Sequence, residues 1–194
     1  MRVLAESCEE EMVATFLSGE LSSERFGAAV RDRLVAMGES VGLLTEPDLD
    51  DPRANEARSR ILAATRGYGE DRELFEFFPA RVRWIRALLA PDDLARVRYI
   101  EYSYWSEISG GSRLPADAAV QIRAGTEAFG VPNERFVAAA EAVARGERFP
   151  PLILAGVRVD DLVCLEGNLR LTGYALVSFP TDTECIVGTD PELG

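Results

Sequence analysis

Residues 150–188, PPLILAGVRVDDLVCLEGNLRLTGYALVSFPTDTECIVG, leave the chain few folds to choose from. PPLILAG, DLVCLEG and TECIVG are short apolar runs bounded by turn residues, the signature of buried strands. VRVDD separates the first two as a turn. NLRLTGYALVSF, between the last two, has helical spacing. The order strand, strand, helix, strand predicts an α+β domain.

The rest of the chain divides near residue 97. Residues 1–97 read as a helical extension packing on a core domain formed by 98–194. SCEEEMVATFLSG opens with a Ser cap and acids in its first turn, then sets Met12, Val13, Phe16 and Leu17 on one face. SSERFGAAVRDRLVAMG repeats that logic with Phe26, Val30 and Leu34, and Gly38 is its C-cap. LLTEPDLDDPRAN is a turn-rich link; its acids lack the ligand spacing and central Gly of a calcium loop and form a charged surface turn. Pro52 starts a helix running to about Arg66. RGYGEDRELFEFFP is a bend followed by a short aromatic helix that Pro79 ends, and APDDLARV is a capped helical turn. RYIEYSYW, aromatic and partly alternating, predicts a strand. SGGSRLP is a loop, and PADAAVQIRAG and ERFVAAAEAVARG are helices, the second with Phe136, Ala140, Val143 and Ala144 as its stripe.

Composition removes whole classes of chemistry. The 194 residues contain no His, and all 21 cations are Arg. A Ser-His-Asp or Cys-His pair is impossible, as are His-ligated zinc, a Walker lysine and a Schiff base. Carboxylates, Arg, hydroxyls, Cys, backbone amides or a carboxylate-bound metal must carry any reaction. The net charge of −12 argues against nucleic acid as a partner, because phosphate neutralisation needs surplus cations. No apolar run approaches the ~18 residues of a membrane span. MRVLAESCEEEM has no apolar signal core, so the expectation is a cytoplasmic protein. Cys164 and Cys185 lie in apolar strand-like runs and read as buried free thiols; Cys8 is the third.

The strand-to-helix turn in LEGNLRL is the candidate site. A helix N-terminus offers free N–H groups and a partial positive charge to an anion. Gly167 allows close approach to the backbone, and Asn168 suits the cap. Arg170 can clamp a phosphate with two donors. Glu166 can accept a proton or hold Mg²⁺. The loop Ser109, Gly110, Gly111, Ser112, Arg113 supplies further phosphate donors. Tyr102, Tyr104 and Trp105 read as core aromatics before base-stacking ones, and Glu101 and Glu107 as solvated acids before metal ligands.

The helix FVAAAEAVARGE, then PPLILA, LVCLEGNLRLTGYAL and TECIVG, resembles the ParB/sulfiredoxin fold, whose strand ends in a G-x-x-R box. The resemblance covers about half the chain and extends to RGYGEDRELFEFFP and RVRYIEYSYWSEISGGSRLP, which look like an uncharacterised bacterial group of this fold with a helical N-terminal region. It implies a small mixed sheet. Sulfiredoxins carry Gly-Cys-His-Arg at the box, where Gly167, Asn168, Leu169 and Arg170 stand here, so sulfinic-acid reduction is rejected. Partition proteins carry Gly-Glu-Arg-Arg followed by a helix-turn-helix, and only Gly167 and Arg170 match. Free-serine kinases resemble acid-Gly-His-x-Arg; Glu166, Gly167 and Arg170 match, while Asn168 replaces the histidine. The resemblance implies a nucleotide or phosphorylated small-molecule ligand with Mg²⁺ and a nucleoside phosphate as cofactors. Phosphoryl transfer to a small hydroxylated substrate would use Glu166 as base. The competing expectation is a non-catalytic nucleotide-sensing or protein-interaction module, with a protein partner or a second copy as its target.

Overall fold

The computed structural model describes residues 1–68 and 81–193. A six-stranded sheet forms its centre, in the order β1-β2-β6-β4-β5-β3. The strands are β1 (Arg2–Glu6), β2 (Arg83–Leu89), β3 (Arg98–Tyr99), β4 (Leu152–Gly156), β5 (Val163–Glu166) and β6 (Thr183–Thr189). β6 pairs with β4 in parallel and with β2 antiparallel, β4 with β5 antiparallel, and β3 with β5 in parallel. The sheet is therefore mixed, and the class is α+β.

Helices cover both faces. α1 (Glu9–Leu21), α2 (Gly27–Met37), α3 (Gly42–Thr45) and α4 (Pro52–Arg66) lie on one. On the other lie α6 (Ser103–Ile108), α7 (Pro115–Arg123), α8 (Glu134–Ala144) and α9 (Asn168–Leu176). The short α5 (Pro91–Leu94) follows β2. Alternation along each central strand explains why both faces need cover. Leu152 and Leu154 of β4, Cys164 of β5 and Cys185 and Val187 of β6 enter one core. Ile153, Ala155, Leu165 and Ile186 enter the other, against Met12, Phe16, Leu17 and Ile61.

The strand, strand, helix, strand reading of 150–188 matches β4, β5, α9 and β6. Gly38 ends α2 at φ 71°, and Pro52 starts α4, where Asp51 accepts from Arg53 N–H. The ordering of EPDLDDP has a cause the pattern did not reveal. Arg58, fully buried, donates to Leu43 O at 3.1 Å and Asp48 O at 2.6 Å, and also to Asn55 Oδ1.

Three expectations need correction. Residues 1–97 are not wholly helical, because β1 and β2 belong to the sheet and β2 pairs with β6 along its whole length. RWIRALL carries apolar residues at spacings that suit either a helix face or a strand, and pairing with β6 decides. RYIEYSYW is a strand only at Arg98–Tyr99; Ser103 onward is helix α6. Packing decides here too, since the helix stacks Trp105 on Tyr99 at 4.7 Å and sets it edge-on to Phe136 at 6.1 Å. Ser7 does not cap α1: Cys8 is the N-cap, and the Ser7 hydroxyl donates to Glu11 at 2.6 Å. The expected bend and aromatic helix through Pro79 lie outside the described residues from 69 onward.

α8 and α9 approach closely through small residues. A Cβ on Gly173 would stand 2.9 Å from Ala139 Cβ and 3.2 Å from Ala140 N. Backbone cannot retreat as a flexible side chain can, so Gly173→Ala should lower unfolding free energy by about 1–3 kcal/mol. Urea denaturation of both proteins, with unchanged slope, checks this.

Candidate functional site

The corner after β5 is built by one glycine. Gly167 caps α9 with φ 99°, a left-handed conformation that side chains resist. A Cβ there would also stand 2.5 Å from Leu152 Cδ2 and 3.0 Å from Arg170 Nη2. This tight turn aims the first residues of α9 back across the strand end.

Arg170 then meets Glu166 at 2.8 Å, with side chains only 10% and 15% exposed. Its other terminal nitrogen donates to Pro150 O at 2.6 Å and Pro151 O at 3.4 Å. The guanidinium thus ties the strand end, the helix start and the chain entering β4 into one knot. The two charges are mutually compensated, which a buried pair requires.

α1 lies over this knot. A Cβ on Gly19 would stand 2.7 Å from Glu166 Oε1 and 3.6 Å from Arg170 Nη2. Next to it, Glu20 is buried and pairs with Arg66 of α4 at 3.3 Å. Arg66 lies over the Phe26 ring at 3.9 Å. Two acids and two arginines therefore meet between α1, α4 and the β5–α9 corner. Burial holds the Glu20 carboxyl above its ordinary value; Arg66 opposes that shift, and Glu166 adds to it. Gly19, Glu20 and Arg66 were missed in the sequence. An isolated Gly inside a helical pattern was the available signal.

Asn168 opens α9, and its Oδ1 is buried without a hydrogen-bond partner. The other predicted segment is internally satisfied. Ser109 Oγ donates to Trp105 O at 2.6 Å and accepts from Arg113 N–H at 2.9 Å. Ser112 Oγ donates to Ser109 O at 3.0 Å and accepts from Leu114 N–H at 3.1 Å. Gly110 and Gly111 take positive φ to close this turn. Arg113 pairs with the exposed Glu101 at 2.7 Å. Tyr99 N–H donates to Arg113 O at 2.8 Å, so this loop and Glu166 lie at the same end of the parallel pair β3–β5. Among the described residues, no hydrogen bond or ion pair joins the two segments.

Trp105 and Tyr104 are packed against the core, and Tyr102 against the opposite one. Glu107 is exposed. Cys164 and Cys185 are buried free thiols as expected, and burial pushes the Cys185 thiol up to about 12. Among the described residues, no three Cys, Asp or Glu side chains are grouped to hold a metal ion. No described helix is long and apolar enough to cross a membrane.

A scan of protein-family models and searches of curated proteins and of solved structures found no match to this chain.

Arg170→Ala should strand Glu166 and the Pro150 carbonyl, lowering unfolding free energy by about 3 kcal/mol; chemical denaturation without any ligand measures it. Glu20 gives a pH signature. A carboxyl with a raised folded value adds stability fully below about pH 4.5, its ordinary value, and loses it as pH rises through the folded value. The melting temperature of wild type relative to Glu20→Gln should therefore fall between that pH and neutrality. A flat difference would show that Glu20 titrates normally.

Proposed function

We propose that this chain is a non-catalytic binding module, in which the EGNLR corner serves as a latch holding the N-terminal helices on the sheet. One observation carries the reading: the guanidinium of Arg170 is engaged by Glu166 and Pro150 O beneath Gly19 of α1. A phosphate clamp needs donors free to turn toward the ligand, and a general base needs a carboxylate free to take a proton. Here each neutralises the other. The order α8, β4, β5, α9, β6 supports the ParB/sulfiredoxin-like ancestry that the resemblance implies, with the cleft converted to a structural joint.

The second reading keeps a nucleotide or phosphorylated small molecule at the corner, with Mg²⁺ and Glu166 as base in a phosphotransferase acting on a small hydroxyl. The positive φ of Gly167 and the first N–H groups of α9 favour it. It requires α1 to lift from Glu166 and Arg170 to exchange its carbonyls for phosphate oxygens.

Thermal melts against ATP, ADP, CTP and GTP, each with and without Mg²⁺, separate the two. The module reading expects no shift and no nucleotide turnover with free serine as acceptor. A ligand at ~100 times its dissociation constant stabilises by roughly 2.7 kcal/mol, which a melt resolves. A shift with one nucleotide, absent in the milder Glu166→Gln or Asn168→Ala variants, would replace the module with the phosphotransferase.

A further inference from the structure

We draw no further inference here: the strongest candidate, the surface hollow between α7 and α8 where Ile122 and Val137 lie among Glu127, Glu134 and Glu141, is a partly apolar, acidic face of a chain rich in acids, and nothing in the structure shows what covers it.

Discussion

Removing a carboxylate and a guanidinium from water costs several kcal/mol per ion, and the return comes only when geometry satisfies both. Glu166 and Arg170 meet that condition through one turn of helix and one left-handed glycine. Arg170 Nη1 donates to the carbonyls before β4. The pair therefore fixes the relation of three segments: the end of β5, the start of α9 and the entry to β4. Because Gly19 has no side chain, α1 settles directly onto the carboxylate. The helical layer on that face is placed by this contact and by the neighbouring Glu20–Arg66 pair.

This arrangement alters what the corner can do. A helix N-terminus beside an arginine is a phosphate site when the arginine is free and solvent can leave. Here the arginine already holds a carboxylate and two carbonyls. The glycine-rich loop at 109–113 shows the same economy: its hydroxyls and amides bond to one another, and its arginine bonds to Glu101. Arg33, Arg53 and Arg60 line a hollow between α2 and α4 together with Glu39 and Glu56.

The legible part of the sequence was local. The short apolar runs LILAG, VCLE and TECIVG, bounded by turn residues, announced strands, and the caps at Gly38 and Pro52 and the Pro115 start of α7 sat where turn chemistry put them. RYIEYSYW was legible as aromatic but not as helix, because its pattern suits either element until Trp105 finds Tyr99 and Phe136. The corner was legible as residue types. Gly167, Asn168 and Arg170 stand at the predicted strand-to-helix turn, but their spacing carried no sign of what would lie above them.

The sequence by itself determined the α+β character, the terminal strand and helix order, the glycine turn at 167, and the absence of any histidine or lysine chemistry. Those follow from periodicity, turn propensity and composition, which act over a few residues or none. Tertiary structure alone decided that β1 and β2 join the sheet and that Arg170 bonds Glu166 and the Pro150 carbonyl. It also decided that Arg33, Arg53 and Arg60 converge. Each depends on partners far along the chain: β6 for β2, Pro150 and Gly19 for the corner, and two separate helices for the arginines. A charge has no function until its neighbours are known, and the chain's neighbours are set by how its two cores close on either side of the sheet.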